Sequence, residues 1–147
     1  MSVTPTFTPQ LLGQTEKALN AILSKQLAGP GLTEPQWVTL TLTAMGGGSL
    51  DRDELIGRVA GALKVGDAEV QERIDELIGG GLLEVSGTEL PLIMITDAGQ
   101  ELHSRIRSTV TEITERMWGD LPTDELESAA RVLSTVLQRA DRELARS

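Results

Sequence analysis

The chain has one histidine, His103, next to Leu102 and one helical turn before Arg107. An imidazole at such a position can hydrogen-bond an aromatic acid or titrate near neutrality. Arg105 and Arg107 can attract the carboxylate of the same molecule. Trp37 can line a pocket for its ring. Each residue also has a plainer use: Trp37 as a core anchor, His103 as a partly exposed helix residue, and the two arginines as partners of Glu101 or another acid of the helix face. Between residues 49 and 96 the only cations are Arg52, Arg58, Lys64 and Arg73, against ten carboxylates. The plain expectation for them is local pairing, for example Arg73 with Glu69 or Glu76 at helical spacing.

Other chemistry is excluded by what the sequence lacks. There is no cysteine, so disulfides, zinc–thiolate sites and thiol nucleophiles are ruled out. A single histidine cannot form a two-histidine metal site. No nucleophile–base spacing is present, and the glycine triplets 46–48 and 79–81 lack phosphate-loop or dinucleotide spacing. The reading is therefore a non-enzyme with no catalytic residues, no metal and no cofactor. Three aromatic residues, Phe7, Trp37 and Trp118, are too few for a base-stacking platform. The 147 residues are 39% hydrophobic and 24% charged, an ordinary folded composition, with a net charge of −9. A basic footprint is thus not visible in bulk. No apolar run reaches the length of a membrane span and no signal pattern opens the chain, so the expectation is a cytoplasmic protein without a membrane partner.

The elements that must position these residues are mostly helical. Thr8-Pro9 is a helix start, and the leucine and isoleucine spacing that follows runs to Gly29-Pro30-Gly31. Thr33 with Gln36 forms a capping box for a second helix, and Asp51 with Glu54 does so for a third. A fourth follows Val65-Gly66-Asp67, with Val70, Ile74, Leu77 and Ile78 on its apolar face. Residues 82–86 and 90–95 predict a short β-hairpin, with Pro91 suited to an edge strand. Thr96 opens a long fifth helix, and a sixth runs from about Thr123 to about Arg146. In the last, Leu126, Ala130, Leu133, Leu137, Ala140 and Leu144 alternate by four and three, the spacing of a helix-pairing seam. The predicted fold class is mainly α with a small β-hairpin: a winged helix-turn-helix flanked by N- and C-terminal dimerisation helices. The predicted division is a dimerisation segment over 1–32, the winged lobe over 33–96 and dimerisation helices over 97–147. Long helices with uncovered stripes most often find a second copy, in a two-fold homodimer.

Several of these residues carry a resemblance. Leu32-Thr33-Glu34-Pro35-Gln36-Trp37 is similar to the "LTxxQW" entry to the second helix of the MarR (multiple antibiotic resistance regulator) family. Glu54-Leu55, Val65, Val70, Ile74, Asp75, Leu77, Gly81 and Leu82 follow in the family's order. Ile95-Thr96-Asp97-Ala98-Gly99 resembles its "LTxxG" entry to the long dimer helix. The resemblance covers nearly the whole chain. It implies a homodimeric transcriptional regulator on palindromic double-stranded DNA, often released by a small phenolic or other aromatic ligand. It makes residues 67–77 the recognition helix and 86–90 the wing tip. The implied DNA contacts are Arg52, Arg58, Lys64, Gln71, Arg73 and Thr88, and the implied ligand contacts are Trp37, His103 and Arg107.

Three features depart from the family pattern. Ala60-Gly61-Ala62-Leu63-Lys64 adds about one helical turn before the recognition helix. The wing, Val85-Ser86-Gly87-Thr88-Glu89, is short and lacks the arginine that enters the minor groove. Residues 67–76 place five carboxylates, Asp67, Glu69, Glu72, Asp75 and Glu76, beside one cation, Arg73. Carboxylates there repel phosphates, whose neutralisation dominates DNA affinity. The alternative is a divergent winged-helix dimer that no longer binds DNA and serves as a ligand- or protein-binding module.

Overall fold

The structure is a computed structural model that describes residues 4–87 and 91–146. In chain order it contains α1 (Pro9–Ala28), α2 (Glu34–Met45), β1 (Ser49–Asp51), α3 (Arg52–Leu63), α4 (Asp67–Gly79), β2 (Leu83–Ser86), β3 (Leu92–Ile95), α5 (Asp97–Trp118) and α6 (Thr123–Arg146). The contacts divide it into two compact units, residues 1–110 and 111–147.

Local signals account for the helix starts. Thr8 caps α1 by accepting from Leu11 N at 3.0 Å. At α2 the capping box is complete: Thr33 Oγ1 accepts from Gln36 N, and Gln36 Oε1 accepts from Thr33 N. Each satisfies a backbone donor that the first helical turn leaves open. Asp51 caps α3 through Glu54 N. The end of α4 is equally local. Gly81 takes a left-handed φ of 77°, and Leu82 N then donates to Leu77 O at 3.0 Å. A side chain at that φ is disfavoured, which is why glycine ends this helix.

The first unit is built around one apolar core. Leu40 of α2, Leu55 and Val59 of α3, Val70, Ile74 and Leu77 of α4, Leu50, Leu83 and Ile93 of the strands are all buried together. Fully burying one such side chain stabilises the fold by about 1.5–3 kcal/mol. Thr39 and Thr43, also buried, satisfy their hydroxyls on the carbonyls of Pro35 and Thr39.

The strand pattern differs from a bare hairpin. The sheet has three antiparallel strands in the order β1-β3-β2. Leu50 faces Ile93 across β1 and β3, and Val85 faces Ile93 across β2 and β3. At three residues β1 is too short to show alternation, so the hairpin signal appeared alone. The added strand makes β3 central, not an edge. Pro91 escapes the conflict because it precedes the strand, and its carbonyl accepts from Arg52 N at 3.1 Å.

The start of α5 is seated on the end of α4. Thr96 N donates to Leu82 O, Thr96 Oγ1 donates to Gly81 O at 2.7 Å, and the same hydroxyl accepts from Gly99 N at 3.0 Å. A Cβ on Gly99 would overlap the carbonyl oxygen of Leu82, so glycine is required for this approach.

In the second unit, α6 has 24 residues and none of them is buried. Its stripe is exposed, with Leu133 nearly half exposed and Leu137 and Leu144 more than half exposed. Among the described residues no helix is long and apolar enough to cross a membrane.

Candidate nucleic-acid interface and ligand site

Five of the six residues implied for DNA contact lie on α3, at its C-cap and on α4; Thr88 lies outside the described residues. Arg52 is the first residue of α3. It is half-buried, and its Nε has no hydrogen-bond partner among the described residues. It has no ion pair among the described residues either. Arg58, six residues on, is bound to Glu54 at 2.6 Å. Lys64 ends α3 in a left-handed conformation, φ 60°, and donates to Gly61 O at 2.7 Å. Such a φ is uncommon outside glycine.

On α4, Gln71 donates to Asp75 at 2.9 Å. Arg73 faces Glu76 with two donors, Nε to Oε1 at 2.7 Å and Nη2 to Oε2 at 2.9 Å, and reaches Glu72 at 3.2 Å. Of the two carboxylates expected for it, Glu76 is the one at bonding distance. Glu69 acts only through its charge. These interactions raise the Arg73 pKa above its ordinary value, the Glu76 hydrogen bond most of all.

By its spacing from Thr33, Gln36 is only a cap. The structure gives it a second partner: Gln36 Nε2 donates to Glu76 Oε1 at 2.9 Å. This bond joins α2 to α4 across forty residues. The Glu76 carboxyl is held below the usual carboxylate range by the Gln36 and Arg73 hydrogen bonds. Nothing in the periodicity could show this contact, because both residues were already explained locally.

The ligand candidates divide into two groups. Trp37 of α2 and His103 of α5 stack, with ring centroids 5.0 Å apart and planes at 24°. His103 is only 3% exposed, which corrects the expectation of a partly exposed helix residue. Its spacing on α5 one turn from Ile106 was compatible with either. Its Nε2 has no hydrogen-bond partner among the described residues. Burial, and then the charge of Arg107, push its pKa below the ordinary value, so the ring is neutral at physiological pH. Arg107 itself is exposed.

A cleft of about 400 Å³ lies on another face of the same stretch of α5. It is lined by Gln26, Gly29 and Pro30 from the end of α1 and by Leu102, Arg105, Ile106 and Thr109. Arg105 is therefore the cleft arginine, and Arg107 is the one whose charge His103 feels. Trp37 and His103 do not line this space. Arg105 and Arg107 were indistinguishable by type, and only their angular position on the helix separates them.

The sequence matches no protein-family model and no curated protein sequence. Its structure is similar to many solved ones. A MarR family transcriptional regulator from Silicibacter pomeroyi superposes with a TM-score of 0.77 at 20% identity, over 92% of this chain and 90% of that one. CouR from Rhodococcus jostii, bound to p-coumaroyl-CoA, gives 0.74 at 18% identity, over 86% and 89%. A mutant MarR from E. coli complexed with operator DNA gives 0.71 at 18% identity, over 87% and 91%. At these identities the likeness speaks to architecture and leaves ligand and operator open. Six helices, a three-stranded sheet and near full-length superposition agree on one description: the chain has the winged-helix fold of the MarR family regulators.

Proposed function

We propose that this protein is a MarR-like transcriptional regulator, not an enzyme, that binds palindromic double-stranded DNA as a homodimer in the cytoplasm and responds to a small aromatic ligand. The observation that carries the reading is the near full-length match to MarR regulators, one of them on its operator. The open stripe of α6 supports the homodimer, since a stripe of leucines this exposed is stabilised by a second copy. In this reading residues 1–32 and 97–147 carry the dimer contacts and 33–96 carry the DNA contacts.

Arg52 is the first phosphate contact to test, because it has no carboxylate partner to give up among the described residues. Arg58 and Arg73 must exchange Glu54 and Glu76 for phosphates, and Gln71 must leave Asp75 to reach a base. Lys64 and Thr88 complete the set. For the ligand, Trp37 offers a ring face, His103 a nitrogen without a partner among the described residues and Arg107 a positive charge.

The test is a mobility-shift titration of promoter-region duplex against a scrambled control, at low and moderate salt. Specific binding that weakens steeply with salt is expected, and Arg52→Ala should weaken it about tenfold. A folded dimer that retards neither duplex would sink the reading. The acidic α4 favours a second one in that case, a winged-helix dimer that binds a ligand or protein in place of DNA.

A further inference from the structure

The Glu76 carboxylate is a focal point on the winged lobe. It accepts from Gln36 Nε2, from Arg73 Nε and from Arg73 Nη2, all between 2.7 and 2.9 Å. The donors come from two helices that are far apart in sequence. Gln36 is not free to turn its amide over, because its Oε1 is committed to Thr33 N in the capping box. Its NH₂ is thereby aimed at Glu76. Arg73 presents its planar fork from the other side, with its side chain 21% exposed. A guanidinium fork and an oriented amide converging on one point form a receptor for any oxyanion of carboxylate or phosphate geometry.

We propose that Gln36 and Arg73 form a phosphate-binding site on the lobe, and that the Glu76 carboxylate occupies it as an internal competitor. The site follows from the geometry alone. That the phosphate belongs to a DNA backbone rests on the regulator reading above. Glu76 is itself ionised, held so by the same donors, and is partly exposed, so it can swing out when a phosphate enters. It then remains close by as a like charge. Arg73 is the only cation of α4, so closing this one site leaves the recognition helix purely acidic toward DNA. Opening it supplies one phosphate contact.

The experiment compares Glu76→Ala with Glu69→Ala. Both remove one negative charge from α4, but no hydrogen bond joins Glu69 to Arg73 among the described residues. Inorganic phosphate is titrated into each full-length protein while the Gln36 side-chain amide is followed by NMR. Glu76→Ala should show a saturable shift, Glu69→Ala and the unmodified chain none, and adding Arg73→Gln to Glu76→Ala should abolish it. Glu76→Gln, which is isosteric, serves if the alanine variant loses its helical circular dichroism. Absence of a saturable shift in either folded Glu76 variant overturns the site.

Promoter-DNA binding of the same proteins then identifies the source of the phosphate. Glu76→Ala should tighten binding about tenfold and steepen the slope of log K against log salt by about 0.9, the signature of one added phosphate contact. Glu69→Ala should change affinity about twofold with an unchanged slope. A gain that survives Arg73→Gln would overturn the internal-competitor role. A phosphate shift in variants that never bind DNA supports the site, assigns it to free phosphate and tells against the regulator reading alone.

Discussion

The winged lobe and α6 carry the same kind of sequence signal and meet opposite fates. Val70, Ile74 and Leu77 recur at helical spacing along α4 and are all buried by the chain's own α2, α3 and sheet. Leu133, Leu137 and Leu144 recur as regularly along α6, and all are exposed. Periodicity thus marks a face that can be covered, without saying whether its own chain covers it. A lobe covered by its own chain should have a stability independent of concentration. A stripe covered by a second copy should not.

The largest loss of stability is expected from inside the lobe. Ile74→Ala removes a fully buried side chain from the centre of the core and should cost about 4 kcal/mol, measured by urea denaturation. A loss below about 1 kcal/mol would mean that this core collapses around the gap. On the other side, Leu133→Asp with Leu137→Asp should leave the lobe folded but weaken self-association at least about 100-fold. Sedimentation velocity across a concentration series reads this directly. An unchanged dimer would show that the stripe is not the seam.

Smaller changes sharpen the contrast within the lobe itself. Gly99→Ala should cost about 2 kcal/mol, since backbone and not a flexible side chain stands in the way of the added methyl. A melting temperature equal to that of the unmodified protein would mean that α5 can lift off Leu82 freely. Thr33→Ala removes the α2 cap and should cost about 1 kcal/mol by thermal unfolding. The smallest effect expected is that of pH on His103. Its folded pKa lies below the ordinary 6.5 of the unfolded chain. The unfolded chain therefore takes up a proton first as pH falls, and stability is full above about pH 6.5 and declines below it until the folded-state pKa is reached. In His103→Gln that segment of the pH–stability curve should flatten, and a curve identical to that of the unmodified protein would remove His103 as its cause.

Much of the fold was legible because its signals are local. Caps, glycine stops and 3.6-residue spacing are written within a few residues of where they act, and all six helices follow from them. β1 was not legible. It owes its existence to pairing with β3 more than forty residues away, and three residues hold too little pattern to announce that. The candidate site was less legible still. Residue types suggested Trp37 and His103, but their stacking depends on the packing of α2 against α5. Arg105 and Arg107 separate only once the rotation of α5 is known. The link between Gln36 and Glu76 was hidden because a complete local explanation existed for each partner.

The seat of α5 has a mechanical consequence. Two hydrogen bonds from Thr96 and the bare backbone contact at Gly99 clamp the first turn of α5 to the end of α4 and the start of β2. A joint closed by a main-chain bond, a hydroxyl bond and close backbone approach leaves little slack for a rotation. A tilt of α5 within its own first unit, such as filling the cleft beside Arg105 would bring, is therefore expected to carry the end of α4 with it.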